Sequence, residues 1–255
     1  MNFSGIYEEM EFWKGRNAGW LEVRDLPGTN CYCDATARRE LLRQTKSFPA
    51  GSVHFLDSGN YHYMSRLWLE QVQEPFCLIV FDNHTDMQPP AFGEILSCGG
   101  WIADSIRELP NLEQVVLVGP DEEAFSQTEP ELWERVSFFS RERLAVWRGG
   151  KALQKEGGAL REFFEEIPKD LPVYLSIDKD VLCTEAADTS WSQGELTLEE
   201  LLQILDGICR DFSGRILGVD ICGESEPGKT EYTRNDAANK SILALLEREG
   251  VTYEE

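Results

Sequence analysis

Short apolar runs and amphipathic stretches alternate along this chain. Residues 52–56 are a brief apolar run, and within 59–72 Met64, Leu67, Trp68 and Val72 recur at helical spacing. A strand is predicted over 76–81, followed by a loop rich in Pro and Gly, a helix over 101–107 and a strand over 114–118. That strand runs into the turn Gly119-Pro120-Asp121. Residues 130–144 and 159–166 read as amphipathic helices, and the glycine-broken interval around Gly149-Gly150 and Gly157-Gly158 as a short strand and a turn. Another β-prone run, 173–177, follows Pro172. Thr197 with Glu200 three residues later makes a capping box at the head of a helix through 196–202. A strand over 215–219 and a terminal helix over 239–248 complete the pattern. Strands separated by helices over the whole length predict an α/β fold, a three-layer α-β-α sandwich around a mostly parallel sheet. Residues 1–255 are read as one domain with an atypical N-terminal segment, 1–50. Within it, 24–34 reads either as part of a substrate wall or as an elaborated edge.

Side chains able to hold a metal fall at the ends of two of these strands. The run 76–81 continues as Asp82-Asn83-His84-Thr85-Asp86, and 173–177 continues as Asp178-Lys179-Asp180. A strand has a side-chain period of two, so Asp82, His84 and Asp86 can share one face, as can Asp178 and Asp180. In parallel sheets ligands bind at such carboxyl ends. Taken singly, each residue has a bland explanation: His62 as a packing residue at a helix start, the aspartates as caps. Taken together, carboxylates and imidazoles converging on one rim would repel and desolvate one another without a cation. The pattern predicts a metal centre, with two ions. Its oxygen and imidazole donors suit hard or borderline divalent metals. Cys31 and Cys33 lack a matching distant pair, so a thiolate zinc site is not expected.

Charge narrows the partners. With 24 Lys and Arg against 46 Asp and Glu, the formal net charge is -22. Nucleic acid and anionic membranes need a positive surface and are not expected partners. A small, cationic substrate suits the field better. No stretch approaches the roughly 18 apolar residues of a spanning helix, and the first residues lack the pattern of a signal peptide. With seven scattered cysteines, a reduced, cytoplasmic protein is the simplest reading.

The three ligand groups resemble the motifs of the arginase, agmatinase and formiminoglutamase family of ureohydrolases. Gly59-Asn60-Tyr61-His62 is similar to that family's Gly-Gly-Asp-His, Asp82-Asn83-His84-Thr85-Asp86 to its Asp-Ala-His-x-Asp, and Ser176-Ile177-Asp178-Lys179-Asp180 to its Ser-x-Asp-x-Asp. Glu224, three residues before Pro227, is similar to a fourth landmark, and Gly194 to a glycine ahead of the next helix. The resemblance implies an arginase-like fold and two Mn2+ ions, with nickel, iron, cobalt or zinc as alternatives. One ion would take His62, Asp82, Asp86 and Asp178, the other His84, Asp82, Asp178 and Asp180, so that Asp82 and Asp178 bridge. A water shared by two such ions gives hydroxide near neutral pH. Its target would be the trigonal carbon of a guanidino, amidino or formimino compound. Asp86 and Glu224 are the implied catalytic residues, Asp86 at the nucleophile and Glu224 on the substrate's cationic nitrogens. Glu224, Asp121 and Cys98 are the implied substrate contacts. Because such relatives often assemble, a homo-oligomer stays open.

Three departures bear on the activity. The loop 87–101 has no His to shuttle a proton, which speaks against a true arginase, and the remaining His54 lies on an apolar strand as a core residue. Ser97-Cys98-Gly99-Gly100 is similar to the Ser-Ser-Gly segment of formiminoglutamases. Tyr61-His62 is similar to the Gly-Tyr-His of histone-deacetylase-like relatives. A deacetylase-like amidohydrolase and a non-catalytic metal-binding protein therefore stand as alternatives.

Overall fold

Residues 76–81 are apolar at every position because both of their faces are covered. In the computed structural model, which describes residues 1–90, 93, 95–151, 158–228 and 232–251, they form a strand buried along its whole length. The elements in chain order are β1 (Tyr32–Cys33), α1 (Ala35–Thr45), β2 (Val53–Phe55), α2 (Met64–Leu69), β3 (Phe76–Phe81), β4 (Leu96–Ser97), α3 (Trp101–Glu108), β5 (Leu112–Val118) and α4 (Glu122–Ser126). They continue with β6 (Val136–Phe139), α5 (Arg141–Lys151), α6 (Gly158–Glu166), β7 (Val173–Asp178), α7 (Leu198–Asp211), β8 (Ile216–Cys222) and α8 (Tyr232–Arg248).

Six strands make one sheet in the order β2-β8-β7-β3-β5-β6, with every pairing parallel. Alternate residues of β3 enter different cores. Cys77, Ile79 and Phe81 pack with residues of α5 to α8, such as Leu144, Phe163, Leu205 and Ile242. Leu78 and Val80 pack with Leu41, Leu67 and Ile106 from α1, α2 and α3. A sheet covered by helices on both faces is the expected three-layer sandwich.

The strand order also locates the site. From β3 the chain steps outward to β5 and β6, then returns across β3 to lay down β7 and β8 on its other side. The order therefore reverses between β3 and β7, and a crevice opens at their carboxyl ends. Phe81 pairs with Ile177 in register, which brings Asp82 and Asp178 out of the sheet side by side.

Some expectations are corrected. The helix predicted over 130–144 is a 3-10 turn (Pro130–Arg135), then β6, then the start of α5. Leu132, Val136 and Phe139 satisfy a helical period, but Phe138 and Phe139 pack into opposite cores, as neighbours on a strand do. Residues 148–151 belong to α5 rather than to a short strand. Gly158 opens α6, and Gly157 lies outside the described residues. Helix α1 was not foreseen; Asp34 caps it, accepting N–H bonds from Thr36 and Ala37 at 2.8 Å each. Within 59–72, a 3-10 turn (Gly59–Tyr61) precedes a shorter helix, α2.

The N-terminal segment is tied to the first ligand motif. Asp57, fully buried, accepts hydrogen bonds from the backbone N–H of Phe3 (2.9 Å) and Ser4 (2.8 Å) and from the Ser4 hydroxyl (2.8 Å). Residues 24–34 act as an edge that backs the crevice: β1 pairs with β4, Cys98 donates its N–H to the Cys31 carbonyl (2.9 Å), and Asn60 bonds Asn30 (2.9 Å). Replacing Asp57 with Ala removes these acceptors from a buried place. We expect a loss of about 2–4 kcal/mol in urea unfolding, with accelerated amide exchange confined to residues 1–13 and the turn 57–62. Unchanged exchange in that turn would show that the two segments are independent.

Candidate metal centre

Three aspartates each accept a backbone N–H at one oxygen while the second oxygen faces an imidazole. Asp82 Oδ1 accepts the His84 N–H (2.6 Å), Asp178 Oδ1 the Asp180 N–H (2.9 Å), and Asp180 Oδ1 the Asn83 N–H (2.9 Å). The two loops after β3 and β7 are thus stitched together by their own carboxylates. The convergence is not the strand pleat that the alternating sequence suggests. Strand β3 stops at Phe81, Asp178 ends β7, and Asp180 sits in a 3-10 turn (Lys179–Val181). Asp86 takes a left-handed backbone conformation, φ 47°, which Asp tolerates better than most residues.

Two side-chain groups result. His62 Nδ1 lies 3.0 Å from Asp86 Oδ2, 3.2 Å from Asp82 Oδ2 and 3.6 Å from Asp178 Oδ2. His84 Nδ1 lies 2.8 Å from Asp180 Oδ2 and 3.5 Å from Asp82 Oδ1. Asp82 belongs to both groups, one oxygen to each. The six expected ligand side chains are therefore brought together, with Asp178 beside His62 and Cys222 rather than beside His84. The outer ring nitrogens are held as well, His62 Nε2 by Ser176 Oγ (2.8 Å) and His84 Nε2 by Ser192 Oγ (2.9 Å). Such partners fix ring orientation in metal sites.

The donor set fits divalent cations. His62 Nδ1 and Asp82 Oδ2 are buried with no hydrogen-bond partner, though they face each other. Burial alone would lower the affinity of both imidazoles for protons. The surrounding acids overcome it, raising His62 well above its ordinary value and His84 to about 12. Asp178 and Asp180 are raised by burial and by the carboxylates beside them. Buried carboxylates gathered this closely are a negative field that a cation would satisfy. Cys222, which the sequence did not flag, donates its thiol to Asp178 Oδ2 (3.2 Å). Burial and Asp178 keep that thiol protonated.

Two glycines permit the close approach of the loops. Gly119 has φ 122°, and a Cβ there would collide with the Asp82 carbonyl oxygen. Gly223 has φ 86°, and a Cβ there would collide with Asp178 Oδ1. Neither position accommodates a side chain.

A cavity of about 460 Å³ opens beside the cluster. Asp82, His84, Asp86, Asp178 and Asp180 line it, with Asp121 and Cys98. Asp121 Oδ1 also caps α4, accepting the Ala124 N–H at 2.6 Å. Burial, with Asp86 nearby, pushes the Cys98 thiol upward, leaving it a poor nucleophile. Sequence reasoning missed Trp191, Ser192 and Arg141 in the same wall. Trp191 donates Nε1–H to Asn60 Oδ1 (2.8 Å), and its ring stands edge-on to His84. That contact gives a structural role to Asn60, where the first motif departs from its usual form. An aromatic residue within the polar stretch 183–195 was the available signal. His54, as expected, is a core residue, stacked on Trp68 and bonded to Asp220 (2.8 Å).

A model of the arginase family matches residues 54–243. The chain belongs to that family. It is 30% identical over 99% of its length, and 90% of the relative's, to an uncharacterized protein of Thermotoga maritima. Its fold is similar to that of proclavaminate amidino hydrolase from Streptomyces clavuligerus (TM-score 0.64, 16% identity, 86% of this chain and 70% of that one). It is also similar to the Mn2+ form of formiminoglutamase from Trypanosoma cruzi (TM-score 0.62, 16% identity, 86% and 72%). The arginase-family fold is thus retained at low identity.

One expected site residue, Glu224, is brought neither to the cavity nor to the cluster. Glu224 and Lys179 are both 0% exposed and form a buried ion pair. Asn235 and Asn239 donate to the Glu224 carboxylate (2.9 and 2.8 Å), and Lys179 also donates to Asn239 Oδ1 (2.8 Å). With its charge matched and both oxygens bonded, Glu224 is a structural anchor rather than a partner for a substrate's cationic nitrogens. Removing one member of such a pair strands the other. Glu224→Gln should therefore cost about 3–5 kcal/mol in denaturant unfolding. Lys179→Met combined with Glu224→Leu should recover most of it; a fully stable Glu224→Gln variant would restore the residue's candidacy for the site.

Proposed function

We propose that this protein is a binuclear-metal hydrolase that cleaves a C–N bond in a small guanidino, amidino or formimino compound. The observation that carries the reading is the pair of His-carboxylate groups joined through Asp82, one oxygen facing each imidazole. Membership in the arginase family supports the same reaction class. The Streptomyces clavuligerus neighbour is an amidino hydrolase, and the Trypanosoma cruzi formiminoglutamase with Mn2+ favours Mn2+ as the metal. His62, Asp82, Asp86 and Asp178 would hold one ion, and His84, Asp82 and Asp180 the other. When bound, the ions would supply Lewis acidity and a water of lowered pKa.

The chain's own groups do the rest. Asp86, whose Oδ2 is anchored by the Trp101 Nε1–H at 2.7 Å, lines the cavity and can take a proton from the attacking water. Trp191 contributes an apolar face to the cavity wall, held by its bond to Asn60. Two of the three histidines are committed to the cluster and the third to the core, so Asp86 is also the group from which the leaving amine would recover that proton.

Mn2+ loading followed by metal analysis should give about two equivalents per chain, with release of amine, ammonia or urea from a panel of guanidino and formimino compounds. Asp82→Asn should lower the content to one equivalent or none and abolish turnover, because Asp82 serves both groups. A single tightly held ion in the parent protein, or full occupancy in the variant, would overturn the assignment.

A further inference from the structure

The cavity's recognition groups favour an anionic rather than a cationic tail on the substrate. Glu224, the carboxylate expected to meet positive nitrogens, is neutralised by Lys179 within the buried network. The four aspartates of the cluster face the imidazoles and each other. Among the described residues lining the cavity, Arg141 is the one Lys or Arg side chain.

Arg141 is under-committed. Its Nη2 donates to Asn83 Oδ1 at 2.6 Å, and the nearest carboxylate oxygen, Asp121 Oδ2, stands 3.9 Å away. That is beyond hydrogen-bond length, and Asp121 spends its other oxygen capping α4. Arg141 Nε is buried without a hydrogen-bond partner, and no second such partner is seen for the terminal nitrogens among the described residues. Arg143, two residues on, is by contrast bonded to Glu166 at 2.8 Å and to the Phe138 carbonyl at 2.8 Å. A guanidinium offers five donors in a planar fork matched to a carboxylate. One satisfied donor leaves that fork available in the cavity wall. Through Asn83, whose N–H bonds Asp180 Oδ1, it is also tied to the ligand loop, so distance from the reacting centre is fixed.

The overall charge of -22 does not oppose this. Surface charges are screened beyond roughly 8–10 Å in physiological salt, whereas a contact inside a cavity is local. Bound divalent ions would also cancel the negative charge of the cluster itself.

Resting on the hydrolase reading above, we infer that Arg141 is a specificity-determining residue that binds a carboxylate carried on the substrate's tail. The substrate class is then an N-guanidino, N-amidino or N-formimino acid of short chain, not the corresponding amine.

Matched probes test it. The Mn2+-loaded protein is given ω-guanidino acids with two to four methylenes, ω-guanidino amines of equal length, and the corresponding N-formimino pairs. Steady-state kinetics and calorimetric binding are measured for each. The acids should bind at least tenfold more tightly than the amines, and Arg141→Gln should shrink their advantage in kcat/KM by about tenfold, chiefly through KM. Arg141→Lys, which keeps the charge but loses the fork, should fall between, and serves if Arg141→Gln does not fold. Equal binding of acids and amines, preference for amines, absence of binding by either, or an unchanged preference in the variants would overturn the inference. Tight binding of acids without turnover of any probe would instead sink the hydrolase reading and leave Arg141 as a carboxylate site. Turnover without acid preference would do the reverse.

Discussion

Buried negative charge at the rim of the sheet is the constraint around which the rest is arranged. Four aspartates end up within reach of two imidazoles because β3 and β7 are neighbours in register. Charges so placed are tolerable only with counter-charge and hydrogen bonds. The backbone supplies part of the answer: three of the carboxylates hold N–H groups of the opposite or following loop. The second oxygens of Asp82 and Asp178 then face His62, and that of Asp180 faces His84.

The core of this site was legible in the sequence. Apolar runs such as 76–81 identify doubly covered strands, and acids directly after them identify the rim. The assumed reason was incomplete, since turn geometry and main-chain hydrogen bonds, rather than a strand pleat, gather Asp82, His84 and Asp86. Strand β6 was hidden because Leu132, Val136 and Phe139 fit a helical period equally well; pairing with β5 decides the matter. The misreading also hid Arg141, which is the first residue of α5 and enters the cavity only once β6 is a strand.

Glu224 illustrates a different limit. A motif match placed the right residue type at the right place in the order, but its partner lies 45 residues earlier, between two ligand aspartates. Lysine is rarely buried, and nothing in Asp178-Lys179-Asp180 announces that this one is. Only the fold reveals that side chains alternate here: Asp178 and Asp180 turn toward the cavity, and Lys179 turns into the network of Glu224, Asn235 and Asn239.

That alternation links the metal loop to the far side of the molecule. Asn235 and Asn239 belong to α8, which also packs Leu243 against Ile6, Tyr7 and Met10 of the N-terminal segment. The same segment is fastened to Asp57, and the Asp57 carbonyl accepts the Glu224 N–H at 3.1 Å. The loop bearing Asp178 and Asp180 and the turn bearing His62 thus share one buried polar framework that includes residues outside the matched family region. In this chain the N-terminal segment and α8 are bonded, through Asp57 and Glu224, to the turns that carry the clustered side chains. Asn60, where the first motif departs from its usual form, and Lys179, between the two aspartates, each have partners beside the site: Asn60 bonds Trp191 and Asn30, and Lys179 joins the Glu224 network.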